Sequence, residues 1–137
     1  MSGRISVTQE GHGDIFRLRW THRPATDSYS LVSPVGTELA RIERGPQGYV
    51  AWRPGQAPVE VSEFATLTQH LLGLALDERA LVAWLHARTG VAQSAGWWVT
   101  LEESQQVDGV EIARRLTAQR DGVTMKLVVD SYRAIVP

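Results

Sequence analysis

The histidines are the side chains in this sequence that could act as metal ligands or general bases. His12, His22, His70 and His86 are scattered along the chain and form no HxH or HExxH pattern, so a metal site is not expected. No serine stands in the G-x-S-x-G context of a hydrolase nucleophile. The absence of cysteine excludes a thiol nucleophile, disulfides and thiolate metal sites within these residues. These residues therefore argue against a metal site and against a serine or cysteine nucleophile.

A different candidate is an apolar residue at the centre of a turn, in the stretch LVSPVGTELA (31–40). Pro34 presets φ and Gly36 permits a positive φ, so residues 33–37 are typical of a turn between two strands. Val35 occupies the middle of this turn, where a polar residue would be ordinary. Either Val35 folds back onto the sheet as a minor core residue, or it projects as an apolar contact point.

Length and composition indicate a single globular domain over residues 1–137. Apolar residues make up 43% and charged residues 21%, which is an ordinary balance for a chain able to bury a core without disulfides. The net charge of −1 argues against a nucleic-acid partner. We find no signal-peptide pattern and no uncharged run near the roughly 20 residues that span a bilayer. We therefore expect either a cytosolic protein or a mature domain whose targeting segment has been removed.

Apolar residues alternate with a period of two along the first sixty residues and again near the carboxyl end. This alternation is typical of half-buried antiparallel strands, and short turn-rich segments separate the runs. The predicted strands span 3–9, 14–22, 27–33, 37–43, 48–53, 57–61, 96–103, 111–119 and 122–131.

Two segments in the middle of the chain have the periodicity of amphipathic helices. We predict one helix over 63–72, with Ser62 as its N-cap and Gly73 as its stop. A second helix is predicted over 78–88, with Asp77 as its N-cap. The apolar stripe of the first helix contains Phe64, Leu67 and Leu71, and that of the second contains Leu81, Trp84 and Leu85. We predict that Arg88 complements the dipole at the carboxyl end of the second helix and that Gly90 ends it.

The order of strands, two helices and further strands predicts an α+β domain. The helices must bury their stripes against the apolar face of the sheet, since no other large apolar surface is available. A curled sheet covered in this way either packs solidly or encloses an apolar cavity, and the sequence leaves both possibilities open. The residues predicted to lie in this interior are Phe16, Leu18, Trp20, Leu31, Leu39, Val50, Trp52, Leu67, Leu71, Trp84, Trp97, Val99, Leu127 and Val129.

Seven stretches match a known family in order and in rough spacing. They are GRISV (3–7), FRLRW (16–20), SPVGTELARIE (33–43), VSEFATLTQHLLG (61–73), LDERALVAWL (76–85), GWWV (96–99) and GVTMKLVVDSY (122–132). Each stretch is weak alone, and together they cover most of the chain. On these stretches the protein resembles the LolB family of outer-membrane lipoproteins.

The resemblance implies an incomplete antiparallel β-barrel with two helices as a lid over an apolar cavity. It also implies a protein that is not an enzyme and uses no cofactor. It implies that the protein accepts acylated lipoproteins from a periplasmic carrier of the LolA type, holds their acyl chains and delivers them to the inner leaflet of the outer membrane. Pro34, Val35 and Gly36 would then form a membrane-insertion loop. The resemblance places the protein on the periplasmic side of the outer membrane, and we expect a monomer.

Three features depart from the family pattern. The sequence shows neither a signal peptide nor a lipidated cysteine, and Ser-Pro replaces the usual Asn-Pro in the turn. The connection between Trp84 and Gly96 is shorter than is usual, which would leave the cavity open on one side. Three alternatives therefore stay open: an unanchored relative that binds another lipid or apolar ligand, a hydrolase or isomerase that uses the same cavity, and a solid structural domain.

Overall fold

The structure is a computed structural model that describes residues 1–22, 26–45, 48–90 and 94–133. Within these ranges the chain forms one nine-stranded antiparallel sheet and two helices, as the α+β prediction requires. Neither of these helices is long and apolar enough to cross a bilayer. The elements are β1 Ser2–Gln9, β2 His12–His22, β3 Asp27–Val32, β4 Glu38–Gly45, β5 Gly48–Trp52, β6 Val59–Val61, α1 Phe64–Leu72, α2 Glu78–Leu85, β7 Trp98–Val107, β8 Val110–Arg120 and β9 Val123–Ser131.

The sheet is a meander in which the first and last strands of the chain are joined side by side. The strand order is β6-β5-β4-β3-β2-β1-β9-β8-β7, so every neighbouring pair is consecutive in sequence except β1 with β9. Gly3 permits this pairing, because a Cβ at that position would clash with the Val128 carbonyl oxygen. β6 and β7 remain as edges, and the sheet does not close. The predicted incomplete barrel with two helices is therefore confirmed.

The helices cover one face of the sheet and fill much of the space above it. Leu18 and Trp20 point from β2 into this interior, and Trp84 of α2 is 0% exposed. Ile112 and Leu116 of β8, against which α2 packs, are equally buried. Close packing of this kind makes the region beneath α2 a solid core.

On β5 the structure reverses the predicted inner face. Ala51 is buried and Tyr49 packs against the core, which leaves Val50 and Trp52 on the opposite face. The guanidinium of Arg41 lies 5.6 Å from the centroid of the Trp52 ring, which gives that outward-facing indole a cation–π partner. The prediction that Val50 and Trp52 lie in the interior is wrong. Both faces of β5 carry apolar residues, so alternation alone does not identify the inner one.

On β4 a bulge moves Leu39 out of the predicted interior. Leu31 pairs with Ala40 whereas Val32 pairs with Glu38, so Leu39 is an extra residue without a partner across the ladder. Its side chain is 40% exposed. The prediction that Leu39 faces the interior is therefore wrong, because the inner position belongs to Ala40.

The two ends of α1 differ in how well the sequence predicts them. The N-cap is Glu63 and not Ser62, and no side chain caps the helix there, so the Ser62 prediction is wrong. Gly73 ends the helix as predicted. It adopts φ +77°, and its N–H donates to the Gln69 carbonyl oxygen at 3.1 Å.

The start of α2 is capped by Asp77, as the sequence predicts. The carboxylate Oδ1 of Asp77 accepts hydrogen bonds from the N–H groups of Arg79 at 2.7 Å and Ala80 at 3.2 Å. The cap satisfies two of the N–H groups that a helix leaves without intrahelical partners.

The end of α2 comes three residues earlier than predicted. The helix ends at Leu85, and the Nδ1 of the C-cap His86 lies 2.9 Å from the Val82 carbonyl oxygen. Arg88 therefore lies beyond the last turn, and Gly90 does not end the helix. Both predictions are wrong, because they extended the periodicity past this side-chain cap.

Candidate functional site

The turn between β3 and β4 is closed by hydrogen bonds of its own backbone. The Ser33 N–H donates to the Thr37 carbonyl oxygen at 2.8 Å, and the Gly36 N–H donates to the Ser33 carbonyl oxygen at 2.9 Å. The Ser33 hydroxyl also accepts from the Thr37 N–H at 3.1 Å. Gly36 adopts φ +94°, a conformation that favours glycine. The backbone of this turn is satisfied without using the side chain at its tip.

Val35 stands free at that tip. Its side chain is 89% exposed, the highest exposure among the large apolar side chains of the described residues. The alternative in which Val35 folds back onto the sheet is therefore wrong. An isolated exposed valine is ordinary on a protein surface. A valine held at the end of a closed turn, however, can contact an apolar surface or ligand outside the protein.

The predicted interior residues, apart from Leu39, Val50 and Trp52, do lie on the covered side of the sheet. Some are partly exposed and pack against the core at its margin, and the others are buried within it. The partly exposed residues are Phe16, Leu71 and Val99, and the buried ones are Leu18, Trp20, Leu31, Leu67, Trp84, Trp97, Leu127 and Val129.

Two clefts open where the helices meet the sheet. One, of about 340 Å³, lies beside α2 and is walled by Trp20, Leu85 and Tyr132 among others. The second, of about 200 Å³, lies beside α1 and is walled by Leu67 and Leu71 together with residues of β5 and β6. Both clefts are open to solvent and flank a filled core. A long apolar ligand could therefore enter the interior only if a helix moved away from the sheet.

A partly buried polar network, which we call the lid anchor, connects the start of α2 to the sheet. The Glu78 carboxylate accepts hydrogen bonds from the hydroxyls of Tyr29 and Tyr49, the latter at 2.8 Å. The Arg44 Nε lies 4.0 Å from Glu78, and its Nη2 lies 2.7 Å from the carboxylate of Asp27. Asp27 is only 2% exposed, so its contact with Arg44 lies away from solvent on the carboxylate side. These five residues come from β3, β4, β5 and α2, and no sequence pattern predicted their meeting.

The two tyrosines of the lid anchor are held in their protonated form. Burial, followed by the hydrogen bond to Glu78 and by its negative charge, raises the pKa of Tyr49 to about 12. The same causes in the same order raise the pKa of Tyr29 further above its ordinary value. Both hydroxyls therefore remain hydrogen-bond donors to Glu78 at any physiological pH.

The only histidine in contact with this network is His22, among the residues that the structure describes. Its Nδ1 meets the Asp27 carboxylate, and its ring borders the cleft beside α2. No group of three or more His, Asp or Glu side chains within the described ranges could hold a metal ion. The Asp27 carboxylate is shared by His22 and Arg44, so these contacts join the ends of β2, β3 and β4.

Known proteins match this chain along most of its length. The model of the family described as "Outer membrane lipoprotein LolB" matches residues 1–132. A relative from Chromobacterium violaceum, named outer-membrane lipoprotein LolB, is 27% identical over 144 residues, which covers 97% of this chain and 79% of the relative. A relative of the same name from Thiobacillus denitrificans is 29% identical over 150 residues, which covers 98% of this chain and 79% of the relative. A third relative of this name, from Halorhodospira halophila, is 28% identical over 154 residues, which covers 96% of this chain and 73% of the relative.

Proposed function

The chain belongs to the family of the outer-membrane lipoprotein LolB, and from this premise we propose that it is a non-enzymatic acceptor of acylated lipoproteins. It takes them from a periplasmic carrier of the LolA type, shelters their acyl chains between its sheet and its helices, and delivers them to the outer membrane. Pro34, Val35 and Gly36 form the part that enters the bilayer.

One observation supports this proposal above all. Val35 is exposed at the tip of a turn whose hydrogen bonds do not involve its side chain. Full burial of a valine side chain contributes on the order of 1.5 kcal/mol. That is too little for stable membrane anchoring, which takes more than a single acyl chain. The turn therefore suits a brief contact with the bilayer, long enough for cargo to leave.

The apolar interior of the protein suits the binding of the acyl chains. Each CH₂ group that leaves water contributes about 0.8 kcal/mol, whether it enters a protein interior or a bilayer. Transfer of an acyl chain from one to the other is consequently close to balanced and needs no chemical energy. Because Trp84 and its neighbours fill the space beneath α2, an acyl chain enters by displacing the lid. The lid anchor resists this displacement and limits it to times when cargo is present.

The test is a transfer assay with a matched pair of variants. Labelled lipoprotein bound to the carrier is mixed with this protein and with phospholipid vesicles, and the label is followed to each. Val35→Glu should still take cargo from the carrier but deliver little of it to vesicles. The control is Val110→Glu, which alters an exposed valine at the opposite end of the sheet and should behave like the unaltered protein. Normal delivery by Val35→Glu would remove the basis of the proposal.

Binding of the acyl chain is tested separately with a fluorescent fatty-acid probe. We expect saturable binding by the protein and by Val35→Glu alike, since Val35 lies outside the interior. Binding by neither would leave the acceptor role without a site for its cargo.

A further inference from the structure

The face of the sheet away from the helices carries a concentration of positive charge on its central strands. Arg17 and Arg19 on β2 and Lys126 on β9 are all exposed there. The intervening residues point inward and are buried, as Leu18 shows between the two arginines. We call these three basic side chains the basic face.

The fold does not neutralise this charge. Arg17 pairs directly across β1–β2 with Arg4, and like charges in opposite positions destabilise a sheet. Arg4 has a partner in Asp130, with nitrogen–oxygen distances of 3.1 and 3.3 Å. Among the described residues, no carboxylate lies within 4.0 Å of the basic nitrogens of Arg17, Arg19 or Lys126. Their positive charge therefore remains available to an external anion.

The basic face continues into exposed apolar residues at the turn. Ile15 is 58% exposed and lies two residues from Arg17, on the same side of β2. Ser6 pairs with both Ile15 and Lys126, so these two residues lie in one row across three strands. Val32 pairs with Arg17, and the turn that presents Val35 begins one residue later. Ile15 and Val35, which we call the apolar tip, therefore lie roughly 10 Å or less from Arg17 along the strands, at about 3.3 Å per residue.

The acidic groups at this end of the sheet are Glu10, Asp14, Glu38 and Asp121, and none of them lies within 4.0 Å of a basic nitrogen of the basic face. Glu10 belongs to the β1–β2 turn, and Asp14 alternates to the other side of β2 from Ile15. Glu38 is occupied by the Ser30 hydroxyl at 3.0 Å and by Arg41 at 3.9 Å.

An apolar tip backed by unpaired cations matches the surface of an anionic bilayer. Apolar side chains of interfacial proteins enter about 5–10 Å below the headgroups, and basic side chains at that depth reach back to the phosphates. We propose that the outer face of β9, β1 and β2 docks on anionic phospholipid, with the apolar tip inserted and the basic face against headgroup phosphates. This rests on the proposed function, because it extends the membrane contact from Val35 to a surface. It also gives the contact an orientation, with the helices turned away from the bilayer.

The experiment measures binding to two kinds of vesicle, one of phosphatidylethanolamine with a quarter phosphatidylglycerol and one of phosphatidylcholine alone. An Arg17→Gln/Arg19→Gln double variant should lose roughly 20- to 30-fold in affinity for the anionic vesicles at low salt, at about fivefold for each cation. Its binding to phosphatidylcholine should be unchanged, and its dependence on salt should be weaker. The matched control is Arg79→Gln/Arg88→Gln, which removes two exposed arginines from the helical side and should bind like the unaltered protein.

Two results would overturn the proposal. The double variant could bind anionic vesicles normally, or the control pair could lose as much affinity, which would make the effect one of net charge alone. A double variant that binds vesicles normally but takes cargo slowly from the carrier would assign the basic face to a protein partner instead. Val35→Ser separates this proposal from the previous one, because it weakens the apolar contact without adding charge, so its delivery defect should not depend on lipid charge. Normal delivery by Val35→Ser, together with weak vesicle binding by the arginine variant, would refute the insertion of Val35 in both proposals and leave the basic face as the membrane contact.

Discussion

The lid anchor makes a quantitative prediction for Glu78→Gln. The substitution keeps the shape of the side chain but removes its charge and replaces one acceptor oxygen with an amide that donates. Glu78 accepts from two tyrosine hydroxyls and faces Arg44. Tyr29 is only 3% exposed, so its hydroxyl has little access to water as a substitute partner. The variant must therefore leave one hydroxyl poorly satisfied and weaken the bond to the other.

The magnitude follows from these contacts. A hydrogen bond to a charged group contributes about 1.5–3 kcal/mol, against roughly 1 kcal/mol for a neutral pair. Loss of charge at two such bonds should lower the free energy of unfolding by about 2–3 kcal/mol. For a domain of this size the midpoint of thermal unfolding should fall by roughly 6–12 °C. Since the anchor holds α2 to the sheet, the fatty-acid probe should also associate faster with the variant.

The assay is urea denaturation followed by tryptophan fluorescence, with Glu60→Gln as the control. Glu60 is an exposed carboxylate on β6, and its substitution should change stability by less than about 0.5 kcal/mol. A double-mutant cycle with Tyr49→Phe isolates the coupling between the two residues. If Glu78→Gln is as stable as the control, the polar network contributes nothing to stability, and the idea that it holds α2 to the sheet is refuted.

Three further predictions concern the core, the helix caps and the response to alkali. Trp84→Ala should cost about 3–5 kcal/mol in chemical denaturation, since Trp84 is fully buried; a loss near 1 kcal/mol would mean that α2 is loosely packed. Asp77→Ala should cost about 1 kcal/mol whereas Ser62→Ala should cost almost nothing, because only Asp77 caps a helix; equal losses would contradict the cap assignment. The raised pKa of Tyr49 contributes stability that is fully present below pH 10 and is lost as the pH rises toward about 12. Denaturation series between pH 9 and 12 should show this loss, and a Tyr49→Phe variant with an equal loss would exclude Tyr49 as its source.

Much of the fold was predictable because its determinants are local. Alternation along β1 to β3 and β7 to β9 identifies strands, since successive side chains of a strand point to opposite faces. Gly73 and Asp77 mark helix ends because each acts on backbone groups within four residues of itself. The ordered motifs were sufficient to predict the family, which the match over residues 1–132 confirms. The roles of Val35 and of the interior in delivery stay predictions.

The faces of individual strands depended on the tertiary structure. Val50 and Trp52 are as apolar as Tyr49 and Ala51, so only the position of α1 determines which pair is covered. The outward displacement of Leu39 follows from a bulge in its pairing with β3. A register shift of this kind depends on the partner strand, and the sequence of β4 alone does not contain it.

Residue types and their spacing were enough to predict the order of the elements, the turn that carries Val35 and the family. Only the tertiary structure showed that Val35 is exposed, that Glu78 meets Tyr29 and Tyr49 across the core, and that Arg17 faces Arg4 without a carboxylate of its own. The physical reason is the range of the interactions. Backbone preferences and caps act over a few residues, whereas charge pairing and burial depend on which distant segments the sheet brings together.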